Sequence, residues 1–387
     1  MDALLWFLLP VAAVCGWFAA RNTLRPNPGE QLNAGLRADY FKGIDYLLNE
    51  QQDKALDVFI KVLEVDAATA ETHLALGNLY RRRGEVDRAI RIHQNLVARS
   101  ELDESRRVEA LLELGHDYQS AGLLDRAEDL FRELVHGQHY CVQALRQLID
   151  IYEQEKDWQK AADAAHDLER QTGSALGAVI AHYWCELAEK ARAEGDAELA
   201  QSYLSAALKA CAACVRASIL RGDLLFAAGD GAGALQAYRQ VEQQDADYLP
   251  EVIERLLKTA ESTHLQPELI EYLHHIVKQY GGISATLALA ELTEREAGRS
   301  AAAEFMTEQL RKRPTIRGFE RLLALKADAT EETPYAGMLQ VLVEQLMTNR
   351  PAYKCGHCGF PARLLHWQCP GCKHWNTVKP IQGVEGE

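Results

Sequence analysis

The chain has 387 residues, with 42 Lys and Arg against 56 Asp and Glu, and a formal net charge of −14 at neutral pH; so acidic a molecule repels phosphate backbones, which excludes nucleic acid as its partner. Hydrophobic residues make up 48% and charged ones 25%, enough to bury a real core, which excludes bulk disorder. Few aromatics (7%) and 11 prolines, beside abundant Ala, Leu, Glu, Gln and Arg, exclude an all-β chain, and nine cysteines with four crowded near the end do not form a disulfide framework.

Residues 1–21 are predicted to be a transmembrane anchor. Residues 3–20 carry no charge, and as a helix they measure roughly 27 Å, against the ~30 Å of a hydrocarbon core. Asp2 is the only charged side chain ahead of this run, while Arg21 and Arg25 follow it. That order opposes a cleavable signal peptide and, by the positive-inside rule, puts the N-terminus outside and the bulk of the chain in the cytoplasm. Trp6 and Trp17 stand near the two interfaces, and Pro10 kinks the span. Residues 22–34 read as a juxtamembrane linker.

Residues 35–249 contain six copies of one pattern. Gly43, Tyr46, Ala55 and Phe59 recur thirty-four residues on as Gly77, Tyr80, Ala89 and His93, and then, after a four-residue insertion, as Gly115, Tyr118, Ala127 and Phe131. A fourth copy degrades to Ile149, Tyr152, Ala161 and Ala165; a fifth reads Ala188, Ala191, Ala200 and Leu204; a sixth reads Gly222, Leu225, Ala234 and Tyr238. Gly84, Gly122, Gly195 and Gly229 each fall seven places after the first small residue, where one helix must stop and the chain reverse. The unit is helix, turn, helix, and such units are stable only when stacked.

This pattern resembles the tetratricopeptide repeat family. The resemblance implies an all-α, right-handed superhelix of about nine helical hairpins, the last of them degenerate over residues 250–350, where Pro267, Gly281, Gly282, Gly298 and Pro314 still punctuate helices but the signature residues are missing. It also implies a concave wall lined by the first helix of each pair. The candidate partner-binding residues there are Asn78, Arg81 and Arg82, then His116 and Gln119, then Arg146, Asp150 and Glu153.

Residues 351–387 form a separate module. Cys355 and Cys358, then Cys369 and Cys372 after ten intervening residues, make two C-x-x-C pairs. Two such turns facing each other complete a tetrahedron of sulfurs about 2.3 Å from a zinc ion, with glycines supplying the left-handed backbone, and four protein ligands close the site. The turns also resemble those of rubredoxins locally, so iron is the rival ion, and an iron site would make an electron-transfer protein; softness favours neither metal in a four-sulfur cage. His357, His366 and His374 are left as surface groups. With Tyr353, Phe360, Trp367 and Trp375 as its main apolar mass, the module depends on its ion for folding. No Asp or Glu occurs between Gln345 and Val384, whereas Arg350, Lys354, Arg363, Lys373 and Lys379 do, so the module is suited to dock on an acidic surface. Cys15 reads as an apolar membrane residue, Cys141 and Cys185 as helix packing, and Cys211 and Cys214 as buried small residues.

The anchor, the stretch from Gly77-Asn78-Leu79-Tyr80 to Ile92-His93-Gln94, and the ending Trp375-Asn376-Thr377-Val378-Lys379-Pro380-Ile381 together resemble the lipopolysaccharide assembly protein B family of Gram-negative bacteria. The resemblance implies an inner-membrane adaptor, single-pass with a periplasmic N-terminus, that promotes degradation of the deacetylase LpxC by the membrane protease FtsH and so limits lipid A synthesis. It implies a metal module packed against the repeats, and further contacts with other lipopolysaccharide-assembly proteins and a membrane regulator. The alternative within the same resemblance is a general scaffold for lipopolysaccharide-assembly enzymes. The sequence contains no H-E-x-x-H, phosphate-binding Gly-Lys-Ser/Thr loop or G-x-S-x-G elbow, and the chain is expected not to be an enzyme.

Overall fold

A computed structural model describes residues 17, 41–46, 48–49, 51, 54–55, 58–59, 70–326, 338, 341–342, 350–384 and 386–387. The predicted anchor, Trp17 excepted, and the linker lie outside these residues, and among the described residues no helix is long and apolar enough to cross a membrane. The chain divides into two units, Met1–Ile151 and Tyr152–Glu387.

In the first unit α1 (Ala70–Arg82) pairs with α2 (Val86–Val97), and α3 (Glu104–Ser120) with α4 (Leu124–His136); α5 (Cys141–Glu155) then carries the chain into the second. Gly84 and Gly122 end α1 and α3 in the left-handed region, at φ +81° and +74°. Between paired helices the small residue and the aromatic meet in close contact. A side chain on Gly43 would fall 2.8 Å from the Phe59 ring, and one on Gly115 would fall 2.6 Å from Phe131. Gly77 stands in the same relation to His93. His93 is fully buried and is matched by a buried acid: its Nδ1 lies 2.5 Å from Asp117, which also accepts from Arg81 at 2.7 Å.

The second unit continues with α6 (Trp158–Thr172), α7 (Gly177–Ala193), α8 (Ala197–Ala210), α9 (Val215–Ala227) and α10 (Gly231–Gln244). A turn residue and an aspartate together make each reversal after α7 and α9. Gly195 and Gly229 (both φ +84°) release one helix, and Asp196 and Asp230 cap the next by accepting from the Leu199 and Gly233 N–H groups. The degraded fourth copy keeps this geometry with Lys156 (φ +59°) and Asp157, although lysine is strained there. Small residues are buried here, Ala161 and Ala165 both on α6, and in the fifth copy Ala188 and Leu204 share one buried cluster.

Beyond residue 250 the structure contains two more hairpins, α11 (Pro250–Thr263) with α12 (Gln266–Gln279) and α13 (Ile283–Ala297) with α14 (Arg299–Lys312), followed by α15 (Ile316–Lys326). Their turns persist at His264 (φ +58°) and Gly298 (φ +87°), while the interior is filled by Leu269, Leu273, Ala302 and Met306. A one-turn 3₁₀ helix, Ala246–Tyr248, bends the chain between α10 and α11. The cysteine module is a three-stranded antiparallel sheet of order β2-β1-β3, with β1 Tyr353–Cys355, β2 Pro361–Ala362 and β3 Val378–Pro380. Tyr353 pairs with Ala362 on one side and Pro380 on the other.

Candidate metal centre

Each C-x-x-C pair folds by the same two backbone contacts. In the first knuckle the Cys355 N–H donates to Phe360 O and the Gly359 N–H to Cys355 O; in the second the Cys369 N–H donates to His374 O and the Lys373 N–H to Cys369 O, all at 2.9 Å. The left-handed residue is Gly359 (φ +79°) in one and Lys373 (φ +60°) in the other, so the expectation that glycine serves both turns is corrected for the second. A side chain on Gly371 would lie at ordinary contact distance, 3.4 Å from Phe360 and 3.6 Å from the Cys358 sulfur, so space does not demand glycine there.

The knuckles bring the four sulfurs within 4.8 Å of one another. Sγ of Cys355 lies 3.8 Å from that of Cys372, and Sγ of Cys358 lies 3.7 Å from that of Cys369. A tetrahedron with metal–sulfur bonds of ~2.3 Å has edges of ~3.8 Å, so the cage fits a zinc-sized or iron-sized ion. Burial acts upward on Cys355, yet Thr377 Oγ1 at 3.3 Å and the N–H groups of Cys358 and His357 outweigh it and bring this thiol down to about 5. The His374 N–H lowers Cys372, but burial and the other three sulfurs raise it to about 12. Four thiolates so close do not coexist without a cation.

Within the second unit the module is seated on the helices by apolar and polar contacts together. The indole of Trp375 stacks on His182 (5.1 Å) and meets Trp158 and Tyr183 edge-on, both at 5.9 Å, while Trp367 stacks on Tyr248 at 5.4 Å. Glu153 accepts from Trp375 Nε1 at 2.9 Å, Gln368 Nε2 at 3.0 Å and the Tyr183 hydroxyl at 2.6 Å. The Tyr248 hydroxyl lies 3.0 Å from Val378 O and 3.1 Å from Asn376 Oδ1, and the Tyr353 hydroxyl donates to Glu251 at 2.6 Å. Burial pushes both phenols upward, so they stay neutral donors. Lys379 reaches Asp245 and Asp247, each at 2.8 Å; burial acts downward on this lysine, but the two carboxylates outweigh it and hold it above its ordinary value. Glu387 pairs with Arg317 at 2.7 Å and with Ser284.

Of the residues expected to line the concave wall, Arg81 is spent inside the chain on Glu113 and Asp117, and Glu153 on the metal module. His116 packs edge-on against Phe131 at 5.6 Å, and burial keeps it below the ordinary imidazole value. Asn78 and Gln119 are half-buried, and Arg82, Arg146 and Asp150 are exposed. Sequence reading missed Trp158, His182, Tyr183, Tyr248 and Glu251, none of which belongs to the repeat signature.

Stacked helical hairpins carrying a cage of two sulfur knuckles define a tetratricopeptide-repeat protein with a rubredoxin-like metal-binding module. Residues 112–175 and 185–248 match the tetratricopeptide repeat family, and residues 353–380 match the rubredoxin metal binding domain. The chain belongs to the lipopolysaccharide assembly protein B family. It is 39% identical over 389 residues to lipopolysaccharide assembly protein B of Escherichia coli K12 and 32% identical over 396 residues to that of Haemophilus influenzae, with the whole of each chain covered. It is also similar to a crystallised tetratricopeptide repeat protein from Parabacteroides merdae, at 11% identity and a TM-score of 0.35, over 80% of this chain and 98% of that one.

Proposed function

We propose that this chain is an adaptor in lipopolysaccharide assembly, anchored in the bacterial inner membrane by residues 3–20 with its bulk in the cytoplasm, that promotes FtsH-dependent proteolysis of LpxC. One observation supports an adaptor most directly: the four cysteine sulfurs at tetrahedral spacing give the metal a closed, structural coordination, and the module they hold is built into the wall of a repeat array. Such an array presents side chains over a long surface, which suits holding other proteins. Zinc is the proposed ion, with iron as the alternative. The anchor keeps the array in the plane where a membrane protease is met at high effective concentration. The relatives' name supports the place in lipopolysaccharide assembly; the partners FtsH and LpxC rest on the resemblance stated for the sequence.

Depletion of the protein from cells, followed by a chase of LpxC, tests the reading: the LpxC half-life lengthens several-fold. Unchanged turnover overturns it. Crosslinking that recovers a set of assembly enzymes, with neither FtsH nor LpxC among them, favours the general scaffold.

A further inference from the structure

The four sulfurs of the cage are unequally covered. Cys355 and Cys369 are buried, Cys372 is half-buried and Cys358 is exposed, so the Cys358–Cys372 edge is the side of the cage that meets solvent. Two exposed imidazoles stand at this edge. His357 and His374 stack with ring centroids 3.8 Å apart and planes inclined by 20°, and His357, Cys372 and His374 each offer a ligand atom within 4.8 Å of the others. Nδ1 of His374 lies 2.9 Å from the Cys372 carbonyl oxygen. A carbonyl can only accept, so Nδ1 carries the proton and Nε2 keeps the lone pair; the stacked rings are nearly parallel, so binding one ion turns an exposed ring about its Cβ–Cγ bond until both in-plane lone pairs converge.

We propose that His357, His374 and the Cys372 sulfur form a second, solvent-facing site for a divalent ion of borderline softness, Zn²⁺ or Co²⁺, with Cys372 bridging it to the cage. Imidazole and thiolate are the donors such ions prefer. The electrostatics favour it as well: four thiolates around one divalent ion leave the cage with two net negative charges, and the part of that charge on Cys372 lies at the edge where the imidazoles stand. With three protein donors, the outer ion keeps a position for water and is held less tightly than the inner one. The inference rests on a metal-filled cage.

Titration of the reduced, metal-free full chain with Co²⁺ separates the two sites. The first equivalent gives the intense thiolate-to-cobalt absorption of a four-sulfur site, and the second binds at least ten-fold more weakly. In His357→Ala/His374→Ala the first equivalent and its absorption remain and the second is lost; His374→Gln alone weakens the second at least ten-fold. One equivalent in the unaltered chain, or a second that survives in the double variant, overturns the outer site. Loss of the first equivalent in the double variant also overturns it, because the histidines then serve the cage. Failure of the unaltered chain to give the thiolate absorption is a different result: it removes the cage itself.

Discussion

His182 is 2% exposed, lies against the indoles of Trp375 and Trp367, and is pushed down to about 3 by its burial, with the Arg216 cation as the lesser cause. Folded, it is neutral at any pH above that value; unfolded, it takes up a proton below about 6.5. The unfolded state therefore binds more protons between these limits, and stability is lost as the pH falls through them, by roughly 2 kcal/mol at pH 5. Thermal unfolding at pH 7 and pH 5 checks this: His182→Gln, which cannot titrate, loses less between the two than the unaltered chain does. Lys156 is a second residue whose cost is visible. It holds φ +59° where the neighbouring copies have glycine, so Lys156→Gly is expected to raise stability by about 1 kcal/mol in urea denaturation, and an unchanged or lowered midpoint refutes the strain.

Much of this was legible residue by residue. The glycine seven places into four of the six repeats, the small residue opposite a ring, and the paired cysteines all announce themselves, because each is forced by a backbone angle, a close approach or a bond length. Lys156 did not, since a left-handed lysine leaves no mark in the sequence. The hairpins after residue 250 blurred for a related reason: Leu269, Leu273 and Met306 fill by volume the space that a small residue and a ring fill elsewhere, and aliphatic packing has no signature. The seat of the metal module was hidden more deeply. Its excess positive charge pointed to an acidic surface, and Asp245, Asp247, Glu251 and Glu153 supply one, but contacts between residues more than a hundred positions apart are set by the stacking of whole hairpins.

At the scale of elements, the joint between the module and the repeats turns on α5 and the bend before α11. Lys379 is 38% exposed at its side chain, so its pairs with Asp245 and Asp247 are screened and worth about 1 kcal/mol. The rings of Trp367, Trp375, His182 and Tyr248 bury far more area and do not respond to salt. Docking is therefore expected to survive 0.5 M salt. Glu153 is different, because it receives three donors and two of them are the polar ends of aromatics, Tyr183 buried and Trp375 half-buried. Glu153→Ala removes the acceptor of the Trp375 indole N–H, at about 2 kcal/mol, or roughly thirty-fold in the docking equilibrium. Limited proteolysis and tryptophan emission report it: the variant's module is cleaved faster and its indoles shift to the red. A variant as resistant as the unaltered chain at both salt concentrations would place the strength of the joint in the rings alone.

At the scale of the molecule, the proposed function divides into recognition by the folded chain and confinement by the anchor, and the two are separable. A chain beginning at Asn22 keeps every described residue from 41 onward, and with them the hairpins, the knuckles and the module's seat. It is expected to fold with the same helicity and to bind metal at the cage as the full chain does. What it lacks is concentration: a tether in the same membrane raises the effective concentration of one protein for another toward the millimolar range, whereas a free chain meets the protease at its cellular concentration. Expressed at normal levels in depleted cells, the truncated chain should leave LpxC nearly as long-lived as depletion does. The same chain fused to an unrelated single span of matching orientation should restore rapid turnover, because the argument asks for a tether and makes no demand on its sequence. If the unrelated span fails while the native one works, residues 3–20 carry recognition of their own; if the soluble chain alone suffices, confinement is not part of the mechanism.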